Sequence, residues 1–376
     1  MTTDTALIEK REELKRRLTT GEYKTLVDIF LEWFDRLLRK ITRRSKPFPL
    51  WLIAALLSII INFISFMLIY VAGDFTKVPT LMNFTGLGAE LRVLISLVFA
   101  NVFIITMLML ISQHIGIILV LWRDEMLDAT DSLESLDKFE DWLKKTSNWR
   151  LHLLIAIIFG LINGLYSTSI TNNISGEFTG YGYTFSNIIM NVFTFAFIYL
   201  FLMVILLLAR LRGYDLKLYS SDPSSSELIY HLSKELGFFI YIVAAYAAIT
   251  TLASAPIGIL QTLGFVLVLI LWFPIIVMFI LNQASLSSII RRVKWKTLNE
   301  VQAKIEKLRA SKNFGSPKTM DAINRLMDYH DRVKATRDSA LDFRTYLSFI
   351  NSLLLPLLAF LLGNLDLVLS LFARKP

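Results

Sequence analysis

Apolar positions in this chain form two kinds of run. Some are long and almost free of charge. Others step by three and four through charged sequence. The long runs fall at 50–72, 93–122, 151–170, 187–209, 237–254, 263–281 and 346–372. Each supplies roughly the 20 apolar residues that a helix needs to cross a bilayer. The fifth is rich in alanine and carries Tyr241, Tyr246, Thr250 and Thr251, so it is expected to face other helices rather than lipid. Ala255-Pro-Ile-Gly258 reads as a tight turn into the sixth. The last run, at 1.5 Å per residue, covers roughly 40 Å against a hydrocarbon core of about 30 Å. It must tilt or break, and Pro356 and Gly363 offer the break, with Asp366 beyond it.

The stepping runs predict amphipathic helices. Within 5–46, Leu14 and Leu18 mark the first, and Tyr23, Leu26, Phe30, Trp33, Leu37 and Ile41 the second. Thr19 with Glu22 has capping-box spacing, Gly21 sits at the joint, and Pro47 and Pro49 end the second helix. Ser220 to Ser226 is a flexible turn. Leu298, Val301, Ile305 and Leu308 mark one arm of a helical hairpin, and Met320, Ile323, Met327, His330 and Val333 the other. Between the arms Ser316 is the expected cap and Pro317 the first helical residue. The domain reading follows: 1–48 amphipathic helices, 49–282 six spans with loops at 123–150 and 210–236, 283–342 a hairpin, and 343–376 the last span.

Composition confirms the class and charge orients it. With 376 residues, 55% hydrophobic content and mean hydropathy +0.55, the chain carries more apolar material than a soluble core of this size holds. Of its 39 Lys and Arg, only Lys77, Arg92, Arg374 and Lys375 fall in segments placed outside when the amino terminus is inside. That bias predicts an amino terminus inside, a carboxyl terminus outside and a layer of cytoplasmic helices; the plasma membrane is the expected location. The same distribution argues against nucleic acid as partner of the +8 net charge. Arg36, Arg39, Lys40, Arg43, Arg44 and Lys46 are expected to rest among anionic lipids of the inner leaflet. The first 48 residues are too charged for a cleavable signal peptide, and the sequons at Asn83 and Asn173 fall in outer loops. The acidic run Asp124, Glu125, Asp128, Asp131, Glu134 and Asp137 lacks the calcium-loop pattern. It is expected to form salt bridges and to face the basic segment 283–345.

Candidate chemistry is sparse. Cysteine is absent, the four histidines are unpaired at ligand spacing, and no GxGxxG, Walker, HExxH or GxSxG pattern occurs. No cofactor and no enzymatic activity are expected. No Lys or Asp lies in the middle of the first six spans, which disfavours ion-coupled transport. Thr179-Gly-Tyr-Gly182 lacks one residue of a potassium filter and reads as a glycine-rich outer turn. Gly160-Leu-Ile-Asn-Gly164 has the small-xxx-small spacing of close helix contact. Asn101, Asn163, Tyr166, Asn191, Thr250 and Ser254 share the outer half of their spans. They read either as a ligand cavity open to the outside or as interhelical hydrogen bonding, the commoner case. His114 reads as a neutral imidazole bonded to a neighbouring helix, with proton sensing as the alternative.

The seven spans, inside amino terminus, helical cytoplasmic extensions and Thr345-Tyr346 opening the last helix resemble the seven-helix cation channels of the insect gustatory and odorant receptor type. In that family five apolar residues and Gln-Phe follow the Thr-Tyr; here Ser352-Leu353 occupies those positions. The resemblance implies an all-α polytopic protein whose split last helix lines a tetrameric pore. The first hypothesis is accordingly an oligomeric ion channel, cation-conducting, with a small-molecule ligand as candidate stimulus. Tyr346, Pro356 and Gly363 belong to its pore helix, Asn351 to the pore wall, Leu354 and Leu358 to a hydrophobic gate, and Asp366 to an outer cation attractor. The alternative is a non-conducting scaffold or signalling protein that recruits a partner through its basic cytoplasmic hairpin.

Overall fold

A computed structural model describes residues 3–72, 89–175, 180–254, 260–311, 314–339 and 351. Among them every regular element is a helix: α1 (Thr3–Thr19), α2 (Leu26–Thr42), α3 (Leu50–Ala72), α4 (Ala89–Leu121), α5 (Leu127–Ala129), α6 (Leu133–Thr146), α7 (Trp149–Ser175), α8 (Tyr181–Leu211), α9 (Glu227–Ser254), α10 (Leu260–Arg309) and α11 (Pro317–Ala335). A π-helical turn, Trp122–Met126, joins α4 to α5, and a β-bridge pairs Thr130 with Leu216. Five helices are long and apolar enough to cross a membrane, with candidate spans Leu50–Val71, Val102–Ala129, Trp149–Ser169, Tyr181–Leu211 and Trp272–Arg309. That is the makeup of an integral membrane protein. The expected span 237–254 is the second half of α9, whereas 346–372 lies outside the described residues except for Asn351.

The boundary expected at 282/283 does not interrupt the backbone. α10 runs unbroken for 50 residues, about 75 Å. From Ile275 to Ala310 it meets neither glycine nor proline, so nothing ends it. The turn into α11 follows expectation: Ser316 accepts the Thr319 amide at 3.2 Å and Pro317 opens the helix. Val301, Ile305 and Ile323 close the hairpin with a small core. Met320 and Met327, counted on the same stripe by pattern, are instead exposed.

The capping box at Thr19 and Glu22 does not form. Gly21 takes φ +68° and stops α1, Thr19 Oγ1 donates back to the Lys15 carbonyl at 2.8 Å, and Glu22 pairs with Arg17 at 2.7 Å. The box is one step later: the Asp28 amide donates to Thr25 Oγ1 at 3.2 Å and the Thr25 amide to Asp28 Oδ2 at 3.0 Å. Ser112 on α4 donates to the other Asp28 oxygen at 2.6 Å, which ties α2 to the second span. α2 then buries Val27, Leu31 and Phe34, while Trp33 and Ile41 of the stripe read from sequence stand 53% and 69% exposed. The helix is apolar on two faces. The uncovered one, flanked by its terminal cations, suits an interfacial position.

The acidic run finds partners other than those expected. Among the described residues its carboxylates pair with Lys10 and Lys15 of α1, Arg123, Lys138, Lys217 and His231, not with 283–345. Glu140 joins them and bonds Lys144 at 2.7 Å, Lys10 at 3.3 Å and Arg17 at 3.1 Å. These hydrogen bonds, Lys144 first, overcome partial burial and hold its carboxyl down at about 2 against an ordinary 4.5. A carboxyl whose pKa falls on folding stabilises the fold above its unfolded value and ceases to as pH drops through the folded one. Acidification from about 4.5 towards 2 is therefore expected to release α1, at a cost of about 2 kcal/mol once screening of the partly exposed cations is allowed for. Limited proteolysis of residues 3–19 across that window checks this. Glu140→Gln should weaken the pH dependence and loosen α1 already at neutral pH, the Asp128 and Asp137 pairs remaining.

An aromatic stack fixes α6. Trp122 and Phe139 lie parallel with centroids 3.8 Å apart, Trp142 follows at 5.8 Å, and Tyr214 meets Trp122 edge-on at 5.3 Å. Trp142 Nε1 donates to the Met203 carbonyl at 2.7 Å, so the stack is pinned to α8.

Candidate functional site

The expected outer-half constellation is only partly brought together. Asn163 on α7 donates to Asn191 Oδ1 on α8 at 2.5 Å, and Asn191 donates to the Asn187 carbonyl at 2.8 Å. Asn187 returns to α7 by donating to Ser167 Oγ at 2.5 Å. This is interhelical hydrogen bonding, made possible by the close approach of the helices at Gly160 and Gly164. Tyr166 is 64% exposed on the outside of α7. Asn101 sits on α4, and Thr250 and Ser254 on α9, with side chains outside the described residues. Asn351 is helical and exposed, whereas Tyr346, Leu354, Pro356, Leu358, Gly363 and Asp366 lie outside the described residues. Gly180 and Gly182 begin α8: Gly180 takes φ +94°, and a Cβ on Gly182 would sit 2.5 Å from the Leu68 carbonyl oxygen of α3. Both glycines serve packing and a turn.

A larger feature lies at the other end of the spans. A cavity of about 910 Å³ opens between α4, α9 and α10. α4 contributes His114 and Ile117, α9 contributes Lys234, Glu235, Phe238 and Tyr241, and α10 contributes Phe279, Asn282 and Gln283. Arg337, just beyond α11, completes it. His114 is buried; its Nε2 donates to the Glu235 carbonyl at 2.6 Å, and the Glu235 carboxylate lies 3.7 Å away. The ring also rests on Phe238, centroids 5.2 Å apart. His114 is thus a histidine bonded across to a neighbouring helix, α9, as read from sequence. It also forms one wall of a polar-ended, apolar-bodied site of the size small molecules occupy.

No known protein family, curated protein or solved structure matches this chain. The site therefore has to be read from its own chemistry.

Next to the cavity the chain fastens residues 336–338 to α10. Lys294, whose side chain is 9% exposed, donates to the Thr336 carbonyl at 2.7 Å and to Asp338 at 2.8 Å. Sequence reasoning passed over Asn282, Lys234 and Lys294. The signal for Asn282 was present as the adjacent amides Asn282-Gln283 closing an apolar run. Lys294 looked like one more cation on a charged helix; only its burial marks it.

Proposed function

We propose that the protein is an oligomeric, cation-conducting channel of the plasma membrane, with its amino terminus inside and its last helix lining the pathway. The observation that carries this reading is the Lys294 clasp. It bolts residues 336–338, eight residues before the last span, onto a helix that is continuous from that span's neighbour to the tip of the hairpin. Movement of the hairpin is then carried to residues 336–338, which precede the last helix in the chain. The seven-helix resemblance, with Asn351 on the pore wall and Asp366 at the outer mouth, supports the same reading. The alternative reading, a scaffold that recruits a partner, draws on Trp295, Phe314, Met320 and Met327, which the hairpin leaves 42–60% exposed.

Purified protein in planar bilayers tests the proposal. Unitary cation currents that fall in conductance with Asp366→Asn are expected. Silence, together with no aqueous thiol modification at any cysteine placed along 346–372, would leave only the scaffold. A narrower expectation concerns the clasp. Lys294→Met removes charge-assisted bonds worth about 1.5 kcal/mol, so amide exchange over 336–339 should quicken roughly tenfold. In recordings it should shift open probability while leaving conductance unchanged.

A further inference from the structure

The cavity between α4, α9 and α10 sorts its lining by chemistry. Toward the spans its wall is apolar, built by Phe238, Tyr241 and Phe279. Of these Phe238 and Tyr241 are 54% and 40% exposed, apolar area that the described residues leave uncovered. At the charged end stand Lys234, Arg337, Glu227 and Glu235. Among the described residues Lys234 meets no carboxylate within ion-pair distance, Glu227 meets no cation, and Glu235 has only His114 at 3.7 Å. Where the two halves join lies Asn282, 2% exposed, with Oδ1 lacking any donor. A buried amide oxygen without a donor weakens the fold. Among the described residues nothing supplies one.

We propose that this cavity holds the head of a phospholipid bearing a primary ammonium, of the phosphatidylethanolamine type. The ammonium donates to Asn282 Oδ1 and faces Glu235, the phosphate lies between Lys234 and Arg337, and the acyl chains follow Phe238, Tyr241 and Phe279 into the bilayer. Each rival head leaves part of the lining unanswered. A choline head has the same charge but no N–H for Asn282. A purely anionic head sets its charge against two carboxylates. A simple amine leaves Lys234 without an anion. The site's position fits a lipid source, because Lys234 precedes the span at 237 and Asn282 follows the one ending at 281, the level of the headgroups. The assignment holds whether or not the protein conducts.

The test uses the full chain, purified and exposed in turn to dioleoyl phosphatidylethanolamine, phosphatidylcholine and phosphatidylglycerol, with bound lipid counted by native mass spectrometry. Phosphatidylethanolamine is expected to bind at least tenfold more tightly than phosphatidylcholine. Asn282→Leu should weaken it about tenfold while the melting temperature holds or rises, since an unbonded amide has been removed. Should that variant fail to fold, Glu235→Gln, which keeps the shape, is expected to lose the same discrimination. Lys234→Ala should weaken phosphatidylethanolamine and phosphatidylglycerol alike. Equal binding of the ethanolamine and choline lipids would overturn the proposal. So would unchanged binding by Asn282→Leu, which would mean that water serves the amide. Absence of any bound lipid would overturn the proposal as well. Free phosphoethanolamine is expected not to compete; if it displaced the lipid at equal concentration, the ligand would be a soluble one and the lipid assignment would fall.

Discussion

Leucine at Gly160 and Gly164 together is expected to leave no monodisperse protein on gel filtration. A Cβ at Gly160 would lie 2.6 Å from the Val192 Cα, and one at Gly164 would lie 2.7 Å from the Ile188 Cα. The obstacle in each case is backbone, which cannot swing aside as the end of a side chain can. Alanine alone should cost about 1–3 kcal/mol at either position. Leucine should cost more, because α7 must then move off α8 and the Asn163–Asn191 bond parts with it. The two sites share one interface, so their costs should not add. Gly116 serves as the control, since a Cβ there meets nothing within 4 Å. Gly116→Ala should hold stability or raise it by up to about 1 kcal/mol through helix propensity. Thermal unfolding in detergent decides the matter. A Gly160→Leu variant that melts with the parent would show that the glycines do not set the helix separation.

What could be read from sequence here divides by mechanism. Gly160 and Gly164 were legible as a packing pair because spacing alone, four apart on a helix, places them on one face. Ser316 and Pro317 were legible because cap chemistry is local. The capping box was misplaced because Thr19-Glu22 and Thr25-Asp28 have the same spacing, and only the left-handed Gly21 chooses between them. The buried face of α2 was missed because the helix is apolar on both sides; Trp33 and Leu31 look alike until a neighbour covers one. Charge sign predicted that the acidic run would find cations but could not say which, since α1 and the hairpin both carry lysines and arginines and net charge favoured the wrong one. The cavity was least legible of all. Asn282, Lys234 and Arg337 are distant in sequence, and each alone reads as an ordinary residue at a span end. Three helices must cross before they share a space.

The second large effect is expected from Phe139→Ala. Phe139 is fully buried, 3.8 Å from the plane-parallel Trp122 and 5.8 Å from Trp142. Removing its ring opens a cavity whose walls are rigid indoles that collapse poorly, so the cost should sit at about 3–5 kcal/mol. Phe139→Leu keeps most of the volume and should lose only about 1–2 kcal/mol, largely the stacking contribution. The consequence reaches beyond the stack. α6 presents Asp137 and Glu140 to Lys10 and Arg17, so an α6 that shifts takes the docking surface of α1 with it. Phe139→Ala is therefore expected to red-shift the tryptophan emission and to expose residues 3–19 to protease at neutral pH, where the parent is protected. Glu140→Gln should expose the same segment with the emission unchanged. If Phe139→Ala instead melted within a degree of the parent with its emission unmoved, the stack would not be what holds α6 in place, and the anchoring of α1 would rest on its ion pairs alone.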